Sequence, residues 1–255
     1  MKALIVLLAT GTVMLAQTPP PTKSAAPAAK PAAPVAKAPA VNPLLHPETL
    51  KAKAPDSFKV KFTTTHGDFV VEVHRDWSPL GADRFYNLVK NRFFTNAAFF
   101  RIVPNFIVQF GMAPDPKVGA AWENATIKDD PMKATVHNTK GTLVYAKPEM
   151  PANARTTQLF INIGDNTRSL DPQGFSPFAE VTEGMDIVLG LYSGYGERPD
   201  QGHITAEGKA YLDKNFPKLD MVKSAVILPA EGAAAPAMKS TAPATKSTAA
   251  PAVKK

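Results

Sequence analysis

The residues with the clearest chemical potential lie in one run, Phe99-Phe100-Arg101-Ile102-Val103-Pro104-Asn105-Phe106-Ile107-Val108-Gln109-Phe110-Gly111. A single cation sits there among aromatic and aliphatic side chains. Strand alternation puts Arg101 and Val103 on one face, and after the Pro104-Asn105 bend Ile107 and Gln109 share a face. An unpaired guanidinium in such company is costly to bury. Arg101 is therefore either paired with an internal carboxylate or held for use, and both readings stand at this point. A second run, Thr157-Gln158-Leu159-Phe160-Ile161-Asn162-Ile163, reads by itself only as buried strand. Other chemistries lack their signatures. The five histidines (His46, His66, His74, His137, His203) have no metal-ligand spacing and there is no cysteine to join them. Neither a Gly-rich phosphate loop nor a nucleophilic Ser in a G-x-S-x-G setting occurs.

These runs need a frame to hold them. Phe58–Thr63 and Phe69–His74 alternate apolar and polar residues about Gly67, which predicts an opening hairpin. Ser78-Pro79 starts a helix through Asn91 whose apolar positions are Leu80, Phe85, Leu88 and Val89. Short strands are predicted at Phe99–Val103, Ile107–Phe110, Thr142–Ala146, Gln158–Ile163, Pro177–Val181 and Leu219–Leu228. Helices are predicted around Met185–Leu191 and over Thr205–Phe216, with Thr205 as cap. Many short strands and few helices indicate a mostly β domain, an antiparallel barrel or sandwich.

The ends of the chain differ from this middle. Residues 17–56 and 229–255 are mostly Ala, Pro, Lys, Ser and Thr, and 14 of the 25 prolines fall in residues 1–56 and 229–255. Such segments cannot bury enough apolar surface to offset the entropy of ordering, so both are expected to be disordered. Residues 57–228 hold 19 basic and 19 acidic residues, so the net charge of +7 belongs wholly to the ends. A basic face on the folded domain is thus absent, which argues against a nucleic-acid partner. Basic tails suit weak contact with an anionic envelope surface, although solubility alone would also explain the lysines. Met1-Lys2 followed by the apolar run Ala3–Ala16 reads as a signal peptide over residues 1–16. Export is expected, to the periplasm or outside the cell, or anchored if the signal is kept.

Together, FFRIVPNFIVQFG and TTQLFINIGDN resemble the two signature strands of bacterial cyclophilin-type peptidyl-prolyl cis-trans isomerases. The helix SPLGADRFYNLVKNRFF, GTLVYAK and SLDPQGFSPFAEVTEGMDIV follow in that family's order, so the resemblance spans nearly all of residues 57–228. It implies a closed eight-stranded antiparallel β-barrel capped by helices, acting as a monomer on proline-containing polypeptides with no cofactor and no metal. It further implies Arg101, Phe106, Gln109 and Phe160 as catalytic residues. Ile107, Ala146, Lys147, Gln158, Leu170 and Phe175 fall on substrate-binding positions. Phe100, Phe110 and Leu159 depart from the family's usual His, Gly and Phe, Ser169 stands at the position of a pocket-edge Trp and Phe175 at that of a pocket His, and together these changes are expected to make the groove more apolar. Tyr195–Phe216 is longer than in compact members. Two other readings use the same residues differently: a module that grips proline segments without turnover, and an envelope-adhesion protein whose tails matter most.

Overall fold

The computed structural model of the chain describes residues 42–230; the leader run and most of both Ala/Pro/Lys segments, with the disorder expected of them, lie outside the described residues. Among the described residues, besides three single-turn 3-10 helices, eight strands and six α-helices follow one another. They are β1 (Ser57–Thr64), β2 (Asp68–His74), α1 (Pro79–Lys90), β3 (Arg101–Val103), β4 (Ile107–Phe110), α2 (Pro116–Trp122) and β5 (Thr142–Tyr145). Then come β6 (Leu159–Asn162), α3 (Thr167–Leu170), β7 (Pro177–Glu183), α4 (Met185–Gly190), α5 (Gln201–Glu207), α6 (Lys209–Asn215) and β8 (Val222–Ile227).

All strands join one antiparallel sheet in the order β3-β4-β6-β5-β7-β2-β1-β8. Its inner face buries the main core, in which Phe62 stacks on Phe69 at 4.8 Å and meets Phe110 edge-on at 5.9 Å. The sheet is an open half-barrel, a correction to the closed barrel that the resemblance implies. Strands β3 and β8 are its two edges and share no ladder; the segment just before β3 meets the start of β8 through the bridge Ala98–Met221 and the backbone bonds Asn96 N to Val222 O, Val222 N to Ala97 O and Phe99 N to Asp220 O. The pairing stops after Phe99, and within β3 the Ile102 amide bonds the Gly196 carbonyl at 3.3 Å instead of β8. Ala98, Phe100 and Leu219 bury their side chains in a satellite core with Ile204 of α5 and Leu212 of α6.

Helix α1 covers the main core with Ala82, Phe85, Leu88 and Val89. Leu80, expected on this face, is exposed, since five residues at about 100° each carry it roughly 140° around the helix from Phe85. Pro79 takes the first helical position as its fixed φ favours, but Ser78 does not cap the helix. Asp130 does so from another segment, accepting from the Leu80 and Gly81 amides at 3.1 and 2.9 Å and from Ser78 Oγ at 2.6 Å. The helix expected over 205–216 is two helices. Thr205 lies inside α5, whose cap is Asp200, accepting from the His203 amide at 2.8 Å. Gly208, with φ +62°, separates α5 from α6 where a Cβ would come within 2.3 Å of the Pro114 carbonyl oxygen.

Residues 42–56, which composition assigns to the linker, pack on the domain. Leu44 and Leu50 rest against the main core, and Trp122 Nε1 donates to the Leu44 carbonyl at 2.8 Å. Asn87 bonds both the amide and the carbonyl of Ala52, and the Ala54 amide donates to Asp83. The apolar anchors Leu44, Leu50 and Ala54 and this backbone pairing outweigh a composition rich in proline.

Candidate active site

Strand register builds the site. Arg101 lies opposite Gln109, Gln109 opposite Phe160, and Phe160 opposite Val144, a single row across β3, β4, β6 and β5. Alternation then sorts the side chains into two layers. Ile102, Val108, Phe110, Leu143, Tyr145, Leu159 and Ile161 enter the main core. On the opposite face Ile107, Val144, Phe160 and Leu170 form a separate apolar cluster bordered by Phe106, Ala146 and Phe175. The turn between β3 and β4 places Phe106: Asn105 takes φ +60°, and the Phe106 amide bonds the Val103 carbonyl at 3.0 Å. Gly164 lets the next loop pass so close that a Cβ there would sit 2.0 Å from the Asn105 carbonyl oxygen.

Leu170, at the end of α3, and Phe175, just beyond it, are held in place by buried amides. Asn166 Nδ2 donates to the Phe106 carbonyl at 2.9 Å and to Asn162 Oδ1 at 2.6 Å. Asn162 Nδ2 donates in turn to Thr142 Oγ1, and Asn138 Nδ2 to the Phe175 carbonyl and to Asp171. The Phe175 ring meets Phe160 edge-on at 5.8 Å. Burial pushes the Asp171 carboxyl up, but hydrogen bonds from Asn138 and His137 outweigh this and hold it below the usual carboxylate range. A carboxylate whose folded pKa is depressed contributes stability above its unfolded pKa of about 3.9 and loses it as pH falls through the lower folded value. The side-chain NMR signals of Phe175 are therefore expected to stay unchanged down to about pH 4 and to shift below it. Unchanged signals to about pH 2 would remove Asp171 from that role.

Arg101 stands beside the apolar floor, linked into a chain of polar groups. Its Nη1 donates to Gln109 Oε1 at 3.2 Å, Gln109 Nε2 to Gln158 Oε1 at 2.8 Å, and Gln158 Nε2 to Gln201 Oε1 at 3.2 Å. Glu197 Oε1 accepts from Arg101 Nε at 2.7 Å and lies 2.5 Å from Nη2. The partner of this arginine is thus a surface carboxylate, not an internal one. Lys147 pairs with Asp129 at 3.0 Å and lies 5.5 Å from the Phe175 ring centre. The Ala146 amide bonds the Gln158 carbonyl at 2.9 Å. Next to Gln109 and Gln158 opens a cavity of about 330 Å³ walled by Ala146, Lys147, Ala154, Thr156 and Gln201. A larger one of about 650 Å³, between residues 47–52, α1 and residues 121–127, contains none of these groups. No cluster of three metal-ligating side chains occurs among the described residues.

All ten residues expected from the sequence thus gather on one face of β3, β4, β6 and the adjoining loops. An apolar cluster with one guanidinium beside it, held by Glu197 and Gln109, suits rotation of a bound amide. A model of the cyclophilin type peptidyl-prolyl cis-trans isomerase/CLD family matches residues 59–206. Peptidyl-prolyl cis-trans isomerase B of Escherichia coli is 32% identical over 174 residues, which cover 66% of this chain and 97% of that protein. The chain belongs to the cyclophilin family.

It is a peptidyl-prolyl cis-trans isomerase. A second relative, the isomerase of Acinetobacter baylyi, is 32% identical over 142 residues, 54% of this chain and 74% of that one. The fold agrees with a solved cyclophilin-type isomerase of Cryptosporidium parvum determined in the presence of the dipeptide Ala-Pro. It has a TM-score of 0.51 at 18% identity and covers 67% of this chain and 99% of that one. The departures in this cyclophilin's signature strands do not change its groove. Phe110 and Leu159 point into the main core, and Phe100 into the satellite core beneath α5 and α6. For these three the expected gain in apolarity at the site is corrected, since their side chains turn away from it, whereas Phe175 borders the apolar cluster. Glu197 and Gln201 carried no sequence signal, because a lone Glu and Gln in an aperiodic segment match no pattern. Asn162 did carry one, as a polar side chain on a strand whose neighbours are all apolar.

Proposed function

We propose that the isomerisation runs on the Arg101–Gln109–Phe160 row, with exported proline-containing polypeptides as clients. The proline ring rests on Phe106, Ile107, Phe160 and Leu170 and is flanked by Phe175. Ala146, Lys147 and Gln158 line the path of the adjoining backbone. Amide resonance sets a barrier of roughly 18–20 kcal/mol, and in the twisted transition state the prolyl nitrogen regains a lone pair. A guanidinium donating to that nitrogen stabilises the twisted form more than either planar form, which is differential binding. Of the five N–H groups of Arg101, one on Nε and one on Nη2 face Glu197 and one on Nη1 faces Gln109. One N–H on each Nη is left to face a substrate. A charge-assisted hydrogen bond is worth about 1.5–3 kcal/mol, one to two decades of rate.

The register row carries this reading, since it sets the donor two strands from the aromatic floor. Phe160→Ala in the full chain tests it. Removing part of the floor costs about 1.4 kcal/mol of proline contact, so KM for an Ala-Pro peptide is expected to rise about tenfold with kcat little changed. An unchanged KM in a folded variant would place the proline elsewhere. The leader run Met1–Ala16 supports export, where the protein would assist folding, and the lysines of the tails support weak contact with an anionic envelope surface. A mature protein beginning at Gln17, recovered outside the cytoplasm, is the expected sign; one retained in the cytoplasm with residues 1–16 would rule it out.

A further inference from the structure

The segment between α4 and α6 is tied to both neighbours of Arg101. Phe100 buries its ring against Ile204 and Leu212, and the Ile102 amide donates to the Gly196 carbonyl at 3.3 Å across the free edge of β3. Tyr195 is wedged between Tyr192 and Phe216, each ring centre 5.1 Å away, and Arg198 lies over its ring while donating to the Gly194 carbonyl. Two side chains of this anchored segment reach the polar chain of the site, Glu197 at Arg101 and Gln201 at Gln158. Glu197 is 61% exposed, and an ion pair so open to water adds little to folding stability. Its geometry is nonetheless specific. Glu197 holds the Nε and Nη2 edge of the guanidinium while Gln109 takes one N–H of Nη1, which leaves one N–H on each Nη engaged by neither.

We propose that Glu197 is a positioning residue for the isomerisation, orienting the guanidinium of Arg101, and that the segment carrying α5 is the device that delivers it. This rests on the assignment of Arg101 as the rate-enhancing donor. A side chain with four rotatable bonds otherwise samples many orientations, and holding it in one before substrate arrives removes that reorganisation from the barrier. Glu197 acts only through Arg101, so its effect must vanish when Arg101 is absent. Gln201 supports the same chain from its other end.

A double-mutant cycle on the full chain tests this, with Glu197→Ala, Arg101→Ala and the pair measured on an uncharged Ala-Pro peptide. Glu197→Ala is expected to lower kcat about fivefold with KM unchanged, and to change nothing further in the Arg101→Ala background. Glu197→Gln, which keeps an acceptor oxygen, is expected to restore part of the loss. The Arg101 Nε–H proton signal should move upfield in Glu197→Ala while the Ile102 amide stays in place. An equal loss in both backgrounds would make Glu197 merely structural, and a rise in kcat would make it a brake; either overturns the proposal. If Arg101→Ala itself leaves kcat intact, the assignment of Arg101 fails, an outcome distinct from a normal Arg101 effect with a silent Glu197.

Discussion

Arg101→Ala is expected to lower kcat/KM about 10- to 100-fold while leaving peptide affinity almost unchanged. The magnitude follows from the loss of one charge-assisted hydrogen bond made only in the twisted state, about 1.5–3 kcal/mol. Affinity persists because Ile107, Val144, Phe160 and Leu170 form their own buried cluster without the arginine. Folding persists too, since the carboxylate left behind, Glu197, is largely in water and is rehydrated. Gln109 keeps its bond to Gln158 and holds the strand face together. Arg101→Lys should fall between, because a single ammonium retains the charge but cannot bridge Gln109, Glu197 and a substrate in one plane. A protease-coupled assay on an Ala-Pro peptide, with binding followed separately, checks both variants. Loss of affinity equal to the loss of kcat/KM would make Arg101 a binding residue only.

The largest effect on stability is expected at Asp130, which lies away from the reacting groups. Its carboxylate is buried and accepts from Ser78, the Leu80 and Gly81 amides and Arg155 Nη2, the last at 2.9 Å. Arg155 is 4% exposed, so Asp130→Ala strands a guanidinium in the interior and uncaps α1 together. Breaking a buried pair by removing one partner costs about 3–5 kcal/mol. Asp129, 3.4 Å from Arg155 Nε, remains as a partial partner and sets the expected cost near the lower end. For a domain of this size that is a fall in Tm of roughly 10 °C. Asp130→Asn keeps an acceptor for the helix amides and should lose less than Asp130→Ala. Thermal unfolding of the two variants measures this directly; a melt unchanged in Asp130→Ala would mean that Arg155 finds full compensation elsewhere. The consequence reaches the groove, because Arg155 lies between Ala154 and Thr156, which wall the cavity beside Gln158.

What the sequence could show was set by periodicity. Period-two alternation around Arg101, Gln109 and Phe160 is local, so the face they share was readable, whereas Phe110 and Leu159 were expected to change the groove and lie on the opposite face. Ser78-Pro79 likewise marked the start of α1, because proline fixes φ wherever it stands. The sheet's closure was not readable in this way. The outer edge of β3 bonds, through the Ile102 amide, Gly196, a residue 94 positions further along the chain, and local alternation carries no record of that. Residues 42–56 were misleading for a related reason: Leu44, Leu50 and Ala54 are only a few apolar residues among prolines, and their binding sites on α1 and α2 are assembled by the fold. Asp130 and Glu197 act 49 and 96 residues away from Gly81 and Arg101, a separation no pattern of spacing records.

Exchange spectroscopy of a saturating Ala-Pro peptide on the full chain, beside Arg101→Ala, tests the central claim most directly, since it reads cis-trans interconversion of the bound peptide apart from binding. Fast interconversion on the native protein, reduced about 10- to 100-fold in the variant at equal occupancy, is the expected result. Interconversion equally fast on both proteins would contradict it and leave the apolar floor alone responsible for the rate.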